Sequence, residues 1–460
     1  MGDWTIADLE DWDARIRAKV EAFGLHPYPQ DFEISDAEEM LGYMAYSGIP
    51  SHYGHWSYGK AFEKLRTLYA HGVSGLPYEM VINANPSIAY LMRDNSLCLQ
   101  ILTIAHVYGH SDFFRENFYF RATDATNALS SFRAAARRVR GYVEDPSIGA
   151  ERVEPFLDAA HGLSLHINRN PSVPRLRPGE ERERLLRDAV APPDPWASLH
   201  QPHPVVMPDL QRNPPSPVDD LLLFVRDNNP YLSEWERDLL TVVDAQARYF
   251  QPQIDTKIMN EGWASFWHRE ILRALELPPG LHLEFLVHHN QVVRPHPGGL
   301  NPYHLGLEIW DTLDARCVGD RSLLFEVRRA ERDVSFLRRF LDADLMRKLD
   351  LFEVDQRGEQ RVASKVSSED DWEAVKATLL QNVGSATIPV IRVVDADHGG
   401  SRTLLLHHDH DGRELHLEYA EHTLAHAYRL WGRPVLLATR LGNKEMLLRR
   451  DAEGFSAAPA

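Results

Sequence analysis

The run from Leu97 to Phe120, LCLQILTIAHVYGHSDFFRENFYF, constrains this chain more than any other stretch, because it sets two imidazoles, His106 and His110, inside an otherwise apolar helical sequence. A helix of that composition is buried, so the rest of the chain is arranged around it. At i and i+4 the two rings share one face with Cβ atoms about 5–6 Å apart, close enough to reach one metal ion through bonds of about 2.0–2.1 Å. A hydrogen-bonded pair of core histidines uses the same spacing. A second run, TKIMNEGWASFWHREILRALEL from Thr256 to Leu277, carries Glu261, Ser265 and His268 at i, i+4 and i+7. Ionisable groups in aromatic-rich helices cost several kcal/mol to bury unless they are paired or metal-bound. Taken together, the two helices make a shared metal site as good a reading as two unrelated core pairs.

The chain has 460 residues, 43% of them hydrophobic and 25% charged, which is ordinary for a globular protein and allows two or three domains. A formal net charge of −17 and a pI near 5.7 argue against a broad nucleic-acid surface. The two cysteines, Cys98 and Cys317, stand far apart without a CxxC partner, so neither a disulfide framework nor a thiolate zinc site is expected. The acidic, amphipathic start MGDWTIADLEDWDARIRAKVEAFG has no signal-peptide pattern, and no apolar run is long enough to span a bilayer. The expectation is a cytoplasmic protein, free of membrane and nucleic acid.

Helical periodicity predicts a helix from Thr5 to Phe23 and another from Asp36 to Ala45. The loop SGIPSHYGHWSYGK follows, holding His55 and Lys60 as candidate substrate contacts, and then a helix from Lys60 to Ala70. Tyr78 to Asn83 reads as a strand with Glu79 among apolar neighbours, turning at Asn85-Pro86 into a short helix. Glu79 is a candidate either to orient a metal-bound histidine or to act at the site itself. Helices are predicted to Glu144 and from Gly149 to His166. Prolines then crowd residues 168–217, which read as an irregular excursion inside one domain. Beyond the Glu261 helix lie His288 and His289, then Asn301-Pro302 opening another helix with Asn301 as its N-cap. His289 and Asn301 are further candidates for contacting substrate. After residue 350 the period changes: PVIRVVDAD, RTLLLHHDHDGRELHLEY, RPVLLATRL and MLLRRD read as strands, joined by turns that include His410-Asp411-Gly412. The fold class expected is mainly α, with a large helical domain over residues 1–350 that buries both motif helices. A small α+β domain covers 351–460.

Other histidines carry weaker signals. His422 and His426 repeat the HxxxH spacing without an acidic partner helix and read as a packed or exposed pair. His407, His408 and His410 belong to a strand end and turn and read as a solvated turn. Neither a GxSxG elbow nor a phosphate-binding glycine loop is present.

The strings AHVYGHSDFFREN, KIMNEGWASFWH, GIPSHYGHWSYGK, YEMVINANPSIAYLM, DVSFLRRFL and NPYHLG, with the later RLWG, together resemble the SpoVR family, named for stage V sporulation protein R. The resemblance spans nearly the whole chain. It implies a cytoplasmic protein linked in spore formers to the spore cortex and to sporulation and stress response. It also implies neighbours that include a serine protein kinase and a von Willebrand-type-domain protein.

The residues point to a metal-dependent hydrolase acting on an amide or peptide, and the resemblance adds a cell-wall fragment to those substrates. His106, His110 and Glu261 are its expected ligands, with His268 or His289 as a fourth ligand or acid/base. Zinc is the first expectation, while two imidazoles and a carboxylate also suit iron or manganese. Val107 stands where HExxH enzymes place their general base, so the base is sought at Glu261, Glu79 or Asp112. The alternative is a non-enzymatic regulatory or scaffold partner of the kinase.

Overall fold

A computed structural model describes residues 4–49, 51–73, 77–169, 176–189, 209–210, 212–295, 299–357, 360–366 and 372–460. Among these residues the chain is mainly helical, with seventeen α-helices and ten strands. Its contacts group residues into two compact units, Met1–Arg140 with Tyr249–Thr387, and Gly141–Arg248 with Ile388–Ala460. The division is interleaved along the chain and differs from a single break at residue 350.

In the first unit the His106 helix runs from Leu97 to Glu116, and every residue from Cys98 to Phe114 is buried. Its start is set by Ser96, whose hydroxyl accepts from Leu99 N at 3.2 Å and satisfies one of the orphan amides of the first turn. Full burial of side chains such as Ile101 and Phe113 contributes about 1.5–3 kcal/mol each. The Glu261 helix, Lys257–Ala274, lies against it, and the Tyr303 helix, Pro302–Arg316, lies against the Glu261 helix. Glycine makes both approaches possible. A Cβ on Gly109 would sit 2.7 Å from Ala264 Cα, and one on Gly262 would overlap the Gly306 backbone. Trp263 fills the space beside these crossings, with ring centroids 4.8 Å from Trp310 and 5.5 Å from Trp267.

A three-stranded sheet flanks the His106 helix, comprising β1 (Gln30–Ser35), β2 (Glu79–Ile82) and β3 (Ser87–Met92) in the order β1-β3-β2. The short helix expected after Asn85-Pro86 is instead β3, parallel to β1 and antiparallel to β2. SIAYLM is short, apolar and nearly all buried, a pattern that fits a central strand as well as a helix. β2 puts Glu79 opposite Leu91. A ribbon of β4 (Phe352–Arg357) and β5 (Gln360–Val366) also belongs to this unit.

The second unit is built on a sheet of β6 (Ile391–His398), β7 (Thr403–His408), β8 (Val435–Leu441), β9 (Lys444–Asp451) and β10 (Gly454–Pro459), ordered β10-β9-β8-β7-β6. Only β7 and β8 are parallel, and the helix Leu417–Trp431 makes their crossover. The strand expected through RELHLEY therefore stops at His408, and Leu417 already begins a helix. Within the Pro-rich stretch the helix Pro178–Ala189 forms where prolines give way to EERERLLRDA; residues 170–175, 190–208 and 211 lie outside the described residues. His426 packs against Gly162, where a Cβ would meet its ring at 2.5 Å. His408, expected in a solvated turn, is buried, its Nδ1 2.9 Å from Thr439 Oγ1. No described helix is long and apolar enough to cross a membrane.

Candidate metal centre

The close crossing at Gly109 and Ala264 brings the polar face of one helix onto that of the other. His106 and His110 project from the first, their rings 4.5 Å apart and nearly perpendicular. Glu261 projects from the second, with Oε2 3.7 Å from His106 Nε2 and 3.4 Å from His110 Nε2. From β2, Glu79 Oε1 approaches His106 Nε2 to 3.9 Å. One ligand atom each from Glu79, His106 and His110 falls within 4.8 Å of the others, a geometry that could hold a metal ion. Side-chain exposure is 4% for His106 and 7% for His110 but 16% and 17% for the two glutamates, so the centre opens on its carboxylate side.

The outer nitrogen of each imidazole is already engaged. His110 Nδ1 donates to Asn260 Oδ1 at 2.9 Å, which leaves Nε2 with its lone pair toward the carboxylates. His106 Nδ1 lies 2.9 Å from His268 Nδ1, and His268 Nε2 lies 2.7 Å from His289 Nδ1. If His106 Nε2 is to ligate, the direction of this chain is fixed: His106 donates to His268, which donates to His289. His268 and His289 therefore stand behind His106, on the side of its ring away from the glutamates. Both orienting partners, an amide and an imidazole, are neutral.

The carboxylates and imidazoles also shift one another's protonation. Burial would raise the Glu261 carboxyl, but the neighbouring imidazoles of His106 and His110 outweigh it and hold Glu261 far below the usual carboxylate range. Burial pulls His110 down, and Glu261, Asn260 and Glu79 more than reverse it. Burial pushes Glu79 up, with His106 and His110 opposing and Glu261 reinforcing the rise. His268 is driven well below its ordinary value by burial and then by His106 and His289, and burial takes His289 down to about 4. The donor set itself fits an ion. Glu261 Oε2 is buried and accepts no hydrogen bond among the described residues, an expensive state for a carboxylate oxygen unless a cation faces it.

Other residues expected at the site are held elsewhere. Asp112, considered as a base, accepts from His26 N at 2.7 Å, from Trp263 Nε1 at 2.9 Å and from Arg328 Nη1 at 2.5 and 2.6 Å, which leaves it no free lone pair for chemistry. Asn301 caps the Tyr303 helix through Tyr303 N at 3.0 Å, and its amide donates to Val292 O and Arg294 O. His55 caps the helix Trp56–Ala70, which starts four residues earlier than expected, and Lys60 is exposed with its ammonium 5.7 Å from the Trp56 ring. Among the described residues neither belongs to the group around His106 and His110. Two contributors went unnoticed in the sequence: Asn260, beside Glu261, and Tyr303, whose ring lies parallel to His106 at 6.2 Å. The signal for Asn260 was its place one residue before Glu261, and for Tyr303 its place two residues after a helix cap.

Comparison with known proteins agrees with the resemblance. The family model described as SpoVR like protein matches residues 3–388, and that of the SpoVR-like C-terminal domain matches 389–441. The chain is 31% identical over 473 residues to YcgB of Escherichia coli (strain K12), a protein described as uncharacterized, covering 95% of this chain and 92% of that one. No solved structure matches it. With both family models covering it nearly end to end and a relative aligned over almost its full length, the chain belongs to the SpoVR family.

Proposed function

We propose that the chain is a metal-dependent hydrolase whose ion is held by His106, His110 and Glu261, with Glu79 beside it as the group that takes and returns a proton. The observation that carries this reading is the convergence of two imidazole Nε2 atoms on a buried carboxylate oxygen that has no hydrogen-bond partner among the described residues. An ion bound there would supply Lewis acidity and lower the pKa of bound water toward about 7. The chain's own residues do the rest. Asn260 and His268 hold the two rings in ligating tautomers. The two glutamates differ in setting: Glu261 faces both imidazoles, while burial raises the Glu79 carboxyl, which suits it to the role that carries a proton. Zinc is the first choice of ion, and iron or manganese also suits two imidazoles with carboxylates.

Among the described residues the ion-pair partners of Glu79 and Glu261 are His106 and His110, and no lysine or arginine pairs with either. Phosphoryl chemistry relies on cationic clamps, so this surrounding favours an uncharged scissile group such as an amide or peptide. A cell-wall fragment, the link to sporulation and stress response, and pairing with a serine protein kinase or a von Willebrand-type-domain protein rest on the family resemblance. The scaffold reading predicts that His106→Ala lowers stability without removing an ion. Elemental analysis by plasma mass spectrometry of wild type and the His106→Ala/His110→Ala variant separates the two. Near-stoichiometric metal in the first and none in a folded second is expected. Metal in neither, after reconstitution with zinc, iron and manganese, sinks the hydrolase.

A further inference from the structure

Three imidazoles stand in series at the metal centre, and only the first of them faces the carboxylates. His106 Nδ1 lies 2.9 Å from His268 Nδ1, and His268 Nε2 lies 2.7 Å from His289 Nδ1. His268 is wholly buried and His289 nearly so. The helix that carries His289, Pro279–Val293, is fastened on both sides of it. Near its start, Ser96 Oγ donates to Glu284 and Cys98 Sγ donates to Leu281 O at 3.3 Å, both from the beginning of the His106 helix. At its end, the Asn301 amide donates to Val292 O at 2.9 Å and to Arg294 O at 2.8 Å. One turn back from His289, the Phe285 ring packs against both His289 and His268, with centroids 5.8 and 6.5 Å away. The fold therefore holds His289 Nδ1 against His268 from several directions.

A neutral imidazole carries one hydrogen and one lone pair on its nitrogens, so a row of them bonded end to end has two self-consistent patterns. In one, His106 donates to His268 and His268 donates to His289, which leaves His106 Nε2 with a lone pair for an ion. In the other every bond runs the opposite way, and His106 Nε2 carries a hydrogen that bars ligation. One ring cannot change alone, because a mixed pattern sets two donors or two lone pairs against each other across 2.7–2.9 Å. The far end of the row thus decides the near end. We propose that His289 is a positioning residue of the metal centre: by accepting from His268 at Nδ1, it holds His106 in the pattern that binds an ion. His110 needs no such row, since its Nδ1 meets Asn260 Oδ1, an atom that only accepts. This inference rests on the metal-centre reading and extends it to a residue that the row places one imidazole behind His106; its test keeps the two separable.

The experiment uses the full chain, freed of metal and titrated with cobalt(II), as wild type, His289→Leu and His289→Asn. Leucine removes the acceptor, and asparagine sets an amide oxygen at the same place along the side chain as Nδ1. Competition with a chromophoric chelator reports affinity, and the metal-free melting midpoint reports the fold. His289→Leu is expected to bind cobalt about 10–100-fold more weakly, the range for partners that orient a ligand, with a metal-free midpoint close to wild type. His289→Asn is expected to regain most of that loss. Cobalt bound by all three proteins with the same affinity overturns the role of His289 and leaves the metal centre standing. Equal weakening in both variants overturns it as well, since the acceptor would then not be what matters. A large fall in the metal-free midpoint of His289→Leu does the same, because His289 would then support the fold and not the ligand. No cobalt bound by the wild type overturns the metal centre and this proposal with it.

Discussion

Two carboxylates, the fully buried Asp112 and the half-buried Glu261, meet opposite fates in the same helix pair. Asp112 is wrapped by one backbone amide, one indole and one guanidinium, while Glu261 keeps an oxygen without a hydrogen-bond donor among the described residues. The first is a structural anion. Its partner Arg328 is almost wholly buried and stacked near Trp263 and Phe325, so removing it strands a charge in the core. Arg328→Ala is expected to cost about 3–5 kcal/mol in denaturant unfolding, the penalty for breaking one side of a buried ion pair. The sequence made His106, His110 and Glu261 legible because spacing alone puts them on helix faces. It did not separate Asp112 from a catalytic base, because that depends on Arg328, more than two hundred residues away. Asn260 was missed for a related reason: its neighbour is chosen by the crossing of two helices, which no local pattern reveals.

Those crossings belong to the scale of elements, and glycine decides them. In the middle of a helix Gly usually costs about 0.5–1 kcal/mol relative to Ala, so its presence at Gly109, Gly262 and Gly306 needs a reason. The reason is that a methyl group at any of the three would meet the backbone of the facing helix. Gly262→Ala is therefore expected to force the Glu261 and Tyr303 helices apart, destabilising the chain by about 1–3 kcal/mol or more as overpacking does. Metal binding should fall with it. Gly141→Ala, in the helix Ala128–Glu144 with open space around its Cβ position, supplies the opposite sign: a gain of about 0.5–1 kcal/mol from helix propensity alone. Thermal melting of the two variants side by side checks both. Long helices with clear periodicity were readable in the sequence because each carries its own signal. β1 and β3 were not, because a parallel pair joined across more than fifty residues has no hairpin turn to announce it.

Across the whole molecule the surplus of acidic groups and the buried histidines pull stability in different directions as pH falls. The formal charge of −17 shrinks toward zero near the pI of 5.7, so general repulsion eases between pH 7 and that point. The buried histidines act against this. Burial holds His52, in the first unit, and His166, in the second, down to about 4, each well under the ordinary imidazole value. A histidine whose folded pKa is depressed contributes stability that is present above about 6.5 and is lost as pH falls through about 4. At pH 4 each such ring has withdrawn up to about 3 kcal/mol, at a limiting slope of about 1.4 kcal/mol per pH unit per proton. His166 is the cleaner probe, because its Nδ1 is buried without a partner among the described residues and its carbonyl accepts from Leu221 N at 2.9 Å. Amide-exchange protection of the helix Leu221–Asn228 in the full chain, corrected for the intrinsic pH dependence of exchange, is expected to fall between pH 6.5 and 4.5. In His166→Leu that fall should shrink by roughly one proton's worth of slope. If general charge repulsion controlled the region instead, protection would rise toward the pI in both proteins, and the substitution would leave the profile unchanged.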